Sequence, residues 1–381
     1  ALKLKNARMV ILLGMGLGYE LLCYMRDMAA RQQTRYILVV EKDLEIFTAA
    51  LYCVNLEPAI SNAGVHFIVG VGEDSLYPLM RAFLKEKQRY YYLRATKPVY
   101  HSSALLLYRE YYMNTLRIFR EAAVHEISYY GNDPYDSLVG VENMLSNLNE
   151  IVSHPGINLL QGKFKGRPAI ITSTGPSLNK NKHLLKGLEK KALIICPDAS
   201  LKILMEMGVK PHLIVSLERG METVPLLDGF APEEVEDVYL AACPVVVNQA
   251  YQAYTGPRLI VYRNFDHFKW LQIERGILDI KLSSGNMGFK VAEYLGCDPI
   301  ILIGQDLAFS REGTTHAEGA FREEINRIHD SYHRRRKLEV MGNDGQMILT
   351  TDVWYSFLKS YELDVAGYAG TCVNSTEGGA Y

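Results

Sequence analysis

Pro168-Ala-Ile-Ile-Thr172 runs straight into Ser173-Thr-Gly175-Pro176-Ser177-Leu178. The first five residues form a continuous apolar run, as expected of a strand covered on both faces in a parallel sheet. The six that follow form a turn. Gly175 lets the backbone approach a ligand closely, Pro176 fixes the turn, and Ser177 offers a hydroxyl and a helix cap. A phosphate can rest on the N–H groups of such a turn, and a tight capped turn with no ligand has the same sequence. Outward from this stretch, strands are expected at Ala192-Leu-Ile-Ile-Cys196, His212-Leu-Ile-Val-Ser216, Val238 to Ala242, Arg258 to Tyr262 and Ile300 to Gly304. Helices are expected at Lys182 to Glu189, Leu201 to Met207 and Val353 to Leu363. Strands alternating with helices imply a mostly parallel sheet with right-handed crossovers.

The same grammar opens the chain. Met9-Val-Ile-Leu-Leu13 is a buried strand that enters Gly14-Met-Gly16-Leu-Gly18 and a helix from Tyr19 to about Arg31. Strands follow at Tyr36 to Val40, ending on Glu41, and at Val65 to Val69. From Ala104 to Asn149 the pattern is helical, broken at Asn132-Asp-Pro134. The fold class is therefore α/β, with two Rossmann-like parallel-sheet units joined by a helical connector. The boundaries read as an N-terminal Rossmann-like domain over 1–103, a helical connector over 104–162 and a second α/β domain over 163–381.

The chain has 381 residues, which suits two or three domains. Lys plus Arg is 41 and Asp plus Glu is 43, so the basic surplus of a nucleic-acid binder is missing. No apolar run approaches the ~20 residues that span a bilayer, and no leader is read at the start, so no membrane insertion is expected. Six scattered cysteines without a CxxC pair suit reduced thiols in a cytoplasmic protein. The short basic run His333 to Lys337 reads as a solvated surface.

Two further stretches carry site chemistry. Gly14, Gly16 and Gly18 form a GxGxG turn, not the full GxGxxG fingerprint, and this pattern resembles that of S-adenosylmethionine-dependent methyltransferases. Glu41 stands where an acid could accept hydrogen bonds from ribose hydroxyls, so this is either a cofactor turn or a vestigial one kept by the fold. Leu282-Ser283-Ser284-Gly285-Asn286 opens a helix, and Gly304-Gln305-Asp306 follows a strand at the edge where ligands bind in open α/β sheets.

At these residues the sequence resembles the motility accessory factors, or Maf flagellin glycosyltransferases. The resemblance rests on Thr174-Gly-Pro-Ser-Leu178, Ser283-Ser-Gly285, Gly304-Gln-Asp-Leu-Ala308, Gly14 to Tyr19, Glu41 and Asn374-Ser-Thr-Glu-Gly-Gly379. The central domain, 163–381, is also similar to bacterial sialyltransferases with a GNGPS loop, a T/S-S-G helix start and a G-I-D strand end. Thr174 and Gln305 depart from that second pattern. The resemblance implies transfer of a pseudaminic- or legionaminic-type nonulosonic acid from its CMP ester to Ser or Thr of flagellin. It implies that Gly175, Pro176 and Ser177 line the phosphate and ribose. Asp198 and Glu218 would face the nucleotide, and Ser283, Ser284, Gly285, Gln305 and Asp306 would contact the donor. The partners implied are flagellin and the CMP-sugar, which is a substrate, so no resident cofactor is expected.

An alcohol needs a base near pH 7, and His is the natural choice. His316, in Glu312-Gly-Thr-Thr-His316-Ala-Glu318-Gly just past Asp306, is the catalytic candidate, with His267 a distant second. Arg311, Arg322 and the tyrosines are available to the leaving phosphate. No Asp-x-Asp pair or His/Cys cluster marks a metal site, so metal dependence is not expected. A family of pterin pyrophosphokinases resembles the same central unit and is the alternative enzyme. A flagellin-binding factor without activity is the third reading.

Overall fold

A computed structural model describes residues 7–31, 34–130, 134–320 and 325–381. The chain forms two compact units, Ala1–Gly131 and Asn132–Tyr381. The first holds strands β1 (Met9–Leu13), β2 (Tyr36–Glu41), β3 (Val65–Val69) and β4 (Thr96–Tyr100) in the parallel order β3-β2-β1-β4. Side chains alternate across this sheet. Met9, Ile11 and Leu13 join a core that includes Tyr112 and Phe119, while Val10 and Leu12 join another that includes Met15 and Leu21. Coverage on both faces is what makes β1 read as unbroken apolar sequence. The outermost strand β4 carries Pro98, which an edge tolerates because no partner needs its missing N–H.

The second unit contributes β5 (Ala169–Thr172), β6 (Leu193–Pro197), β7 (Leu213–Ser216), β8 (Tyr239–Ala242), β9 (Arg258–Ile260), β10 (Tyr262–Arg263), β11 (Ile277–Leu278), β12 (Ile300–Ile303), β13 (Lys337–Met341), β14 (Met347–Thr351) and β15 (Cys372–Asn374). Seven of these form a parallel sheet in the order β15-β12-β5-β6-β7-β8-β9. The chain starts at β5, fills one side out to β9, and returns to the other side at β12. The switch point is therefore the crevice between β5 and β12. Among the described residues no helix is long and apolar enough to cross a membrane.

The two-unit α/β reading of the sequence holds, and three details differ from it. The helical stretch 104–162 is shared between the units. Helix Arg109–Tyr130 packs on helix Glu73–Lys85 in the first, and the division falls at 131/132. Lys182 to Glu189, expected as a helix, contains two short 3₁₀ turns separated by Gly187 at φ +85°. The basic run His333 to Lys337 is exposed as expected, but it is the end of helix Ile325–Arg334 and the start of β13.

Helix Ser284–Leu295 lies across β5, β6 and β7. Its Gly288 has no side chain where a Cβ would come within 2.9 Å of Ile171 Cγ2 and 3.7 Å of Ile195 Cγ2. Glycine inside a helix costs about 1 kcal/mol, and here it lets the helix settle on the sheet. Gly288→Leu is expected to overpack this contact and cost ~1–3 kcal/mol, read as a lower denaturation midpoint in urea. An unchanged midpoint would show that the helix has room above the strands.

Candidate functional site at the second switch point

The turns after β5 and β12 are bonded to each other. Ser173 N–H donates to Ile303 O at 2.9 Å and Gly175 N–H to Gly304 O at 2.8 Å. The Asp306 carboxylate accepts the Ser177 hydroxyl at 2.7 Å and the Ser177 N–H at 3.1 Å. Gly175 is explained by this contact. A Cβ there would sit 2.0 Å from Asp306 Oδ1 and 2.5 Å from Gly304 O. Its missing side chain thus makes room for the Asp306 turn, where the sequence suggested room for a phosphate. Residues past β15 close the arrangement: Gln305 N–H donates to Thr376 Oγ1 at 3.2 Å and Ala380 N–H to Asp306 O at 2.7 Å. Gly379, at φ +74°, lies where a Cβ would strike the Asp306 backbone at 2.3 Å.

The N-terminal end of helix Ser284–Leu295 forms the next wall. Ser283 caps it, accepting the Asn286 N–H at 3.2 Å and donating to Asn286 Oδ1 at 2.8 Å. Gly285 lets the helix approach β5 and β12, because a Cβ would lie 2.7 Å from Gln305 Oε1 and 3.2 Å from Ser173 Oγ. That Gln305 oxygen accepts hydroxyls from both Ser173 at 2.5 Å and Tyr361 at 2.9 Å. The first N–H groups of a helix have no partner within it, so this end is suited to an anion.

Between these loops lies an open cleft. Gly175, Asp198, Glu218, Ser283, Ser284, Gly285, Gln305, Asp306 and His316 all line it. Of the expected donor residues, Pro176 and Ser177 do not line it; Ser177 is buried and turned to Asp306. Thr223, Leu226, Tyr332, Trp354 and Phe357 also line it, and no sequence motif singled them out. The one available signal was Trp354, one of only two tryptophans.

Charge in this cleft is unusual. Asp198 is buried, accepts the Ser216 hydroxyl at 2.6 Å and the Ala199 N–H at 2.8 Å, and is pushed up to about 6 by its burial. Glu218 is open to the cleft yet crowded by protein on its other sides. That crowding, with Asp198 nearby, pushes it up to about 7 against the pull of Arg219 and Arg263. Asp306 is also raised by burial, opposed by its bonds from Ser177. His316 Nδ1 lies 2.9 Å from Thr315 Oγ1, and its ring is 5.6 Å from that of Tyr332, which stacks on Trp354 at 4.4 Å. His267 packs against Phe265 and Phe268 and does not line the cleft. Arg311 does not line it either and is paired with Asp344 at 2.6 Å. Arg322 lies outside the described residues.

Ser177→Ala is expected to cost ~1–3 kcal/mol by leaving a buried carboxylate short of a donor. Asp306→Ala, which strands both the Ser177 hydroxyl and its N–H, is expected to cost more. Chemical denaturation of the two variants checks this, and equal midpoints with the parent would mean that the two turns hold without this bond.

Residues 3–116 match the family model described as the glycosyltransferase Maf N-terminal domain. Over those residues the chain is similar to the Maf glycosyltransferases. Residues 142–312 match a second model, described as 6-hydroxymethylpterin diphosphokinase MptE-like. A curated relative in this region is the 6-hydroxymethyl-7,8-dihydropterin pyrophosphokinase of Methanocaldococcus jannaschii, 29% identical over 107 residues, covering 27% of this chain and 43% of that protein. Among solved structures, the Maf glycosyltransferase from Magnetospirillum magneticum aligns over 97% of this chain and 57% of its own at a TM-score of 0.62 and 16% identity, which is a likeness of fold. The chain thus spans about half the length of these two relatives.

In the first unit, where that match falls, the glycine turn is filled from within. A Cβ at Gly16 would lie 2.5 Å from His101 Nε2, and one at Gly14 would lie 2.2 Å from Ala104 Cβ. His101 follows β4 across the switch point of this smaller sheet. Glu41, expected to meet a ribose, is fully buried. It accepts N–H groups from Met15 at 2.9 Å and Asp43 at 3.1 Å and the Tyr112 hydroxyl at 3.0 Å. Equilibrium dialysis with S-adenosylmethionine is expected to show no saturable binding by the full chain. His101→Gly, which empties the space beside Gly16, is the variant in which binding can emerge. Tight binding by the parent would show that His101 moves aside.

Proposed function

We propose that the cleft at the second switch point holds the cytidylate of a CMP-activated nonulosonic acid, of pseudaminic or legionaminic type. The sugar passes to serine or threonine hydroxyls of flagellin in the cytoplasm. The observation that carries this reading is the convergence of the three loops after β5, after β12 and before helix Ser284–Leu295 on one cleft, in a chain whose residues 3–116 match the Maf N-terminal model. The acceptor oxygen attacks the anomeric carbon, and the bond from that carbon to the phosphate oxygen breaks. CMP leaves with the electron pair, and the acceptor proton passes to His316. The helix end at Ser283–Gly285 supplies N–H groups toward the leaving phosphate.

The match of residues 142–312 favours a second reading, a pterin pyrophosphokinase using ATP and magnesium. Such chemistry needs acidic metal ligands. Asp198 and Asp306 already accept from Ser216 and Ser177, while Glu218 is open to the cleft. The match of residues 3–116 to the Maf model is what favours the first reading.

Intact-mass measurement of purified flagellin incubated with the protein and a CMP-nonulosonic acid tests the proposal. Addition of one sugar mass or more is the expected result. Its absence, with pyrophosphoryl transfer from ATP to a hydroxymethyl-dihydropterin in a parallel mixture, would establish the second reading. His316→Ala is expected to slow transfer ~10²–10⁴-fold at neutral pH with donor affinity nearly unchanged. Parental turnover in that variant would remove His316 from the reaction. A rate loss matched by lost donor binding would make it a donor ligand.

A further inference from the structure

Four carboxylates line the cleft, Asp198, Glu218, Glu222 and Asp306, and no lysine or arginine side chain does so among the described residues. The donor proposed above is itself an anion, with a phosphodiester and a sugar carboxylate. Bringing it here against ionised carboxylates costs Coulomb energy that a partly desolvated cleft screens poorly. A proton or a cation must offset that charge.

The geometry selects which carboxyl takes a proton. Asp306 accepts two bonds from Ser177, at 2.7 and 3.1 Å. Asp198 accepts from Ser216 at 2.6 Å and Ala199 at 2.8 Å. Both therefore act as acceptors toward their own backbone and hydroxyl neighbours. Glu222 folds back beside Gly220, where a Cβ would meet its Oε2 at 2.0 Å. Glu218 makes no hydrogen bond among the described residues and opens onto the cleft. We propose that Glu218 meets the donor as a neutral carboxylic acid and donates a hydrogen bond to one of its anionic oxygens, so that a proton is taken up when the donor binds. This inference rests on the CMP-donor reading.

The charged and titratable surroundings agree. Asp198 and Glu222 face Glu218 with like charge, and Tyr332 stands near it across the cleft, with His316 and Asp306 further along the same lining. Arg219 and Arg263 oppose protonation, but neither lines the cleft. Arg219 is paired with Asp136 at 3.1 Å, and Arg263 donates to the carbonyls of Ile280 and Lys281. The balance leaves Glu218 near neutrality before any ligand arrives, at about 7. An arriving anion favours the protonated form further. Affinity should then be flat below that pH and fall above it by up to about tenfold per pH unit for one proton.

Titration calorimetry with the methyl ester of CMP tests this, because its single phosphodiester charge does not itself titrate near neutrality. The intact chain is titrated from pH 6 to 9 with EDTA present, in two buffers of different ionisation enthalpy. The expected result is uptake approaching one proton and an affinity loss of roughly tenfold per unit above pH 7.5. Glu218→Gln keeps the shape and a permanent N–H donor. It should hold the low-pH affinity within about threefold and lose most of the pH dependence, whereas Glu218→Ala should bind weakly throughout. Binding without proton uptake, or an unchanged slope in Glu218→Gln, overturns the inference and leaves the donor reading standing. Strengthening by magnesium with loss of proton uptake also overturns it, by showing that a cation offsets the charge. Absence of binding at every pH overturns the donor reading and the inference with it.

Discussion

The bond between the Asp306 carboxylate and Ser177 is the constraint on which the second unit's site depends. It joins residues 129 positions apart in sequence and ties the turn after β5 to the turn after β12. Between those strands the sheet reverses direction of growth, so the backbone there diverges and leaves a crevice. Gly175, Gly304 and Gly379 all serve this one junction. Gly304 adopts φ +67°, with Ser173 O only 2.7 Å from where its Cβ would be. The three glycines let three backbone segments pack around a single carboxylate, and the cleft is what remains beyond them.

The two units apply the same rule to different ends. Each has a glycine turn after its first strand and a switch point beside that strand. In the first unit His101 and Tyr112 fill the crevice, and the acid at the end of β2 is saturated by internal donors. In the second the acids at the ends of β6 and β7 remain in an open cleft. A glycine turn therefore marks where a backbone must come close to something. Whether that is a ligand or the chain's own side chain is decided by residues about 90–130 positions downstream, His101 in one case and Asp306 in the other.

Most of the central strands were legible because burial on both faces leaves uniform apolar runs, as in Met9 to Leu13 and Leu193 to Cys196. The edges were not. Thr96–Tyr100 and Cys372–Asn374 are largely exposed and carry no such signal, and the β13–β14 hairpin alternates buried with exposed residues too briefly to stand out. The cleft loops were legible from glycine and serine placed at strand ends. Tyr332 and Trp354 were not, because an aromatic residue on a helix reads as core until its neighbours are known. Ser177 was assigned to a ligand because no local pattern could reveal that Asp306 takes its hydroxyl.

The segment beyond β15 has a consequence for synthesis. Ser375 N–H bonds Leu302 O, Ala380 N–H bonds Asp306 O, and Asn343 holds the carbonyl of Gly378 at 2.7 Å. Residues 375–380 leave the ribosome some seventy codons after the turn they fasten. During translation the nascent chain can lay down β5 to β12, yet the Asp306 turn stays without its outer fastening until those residues emerge. The Asp306 turn is thus complete only once residues 375–380 have been made, so its local order is set by a segment translated well after the strand it follows.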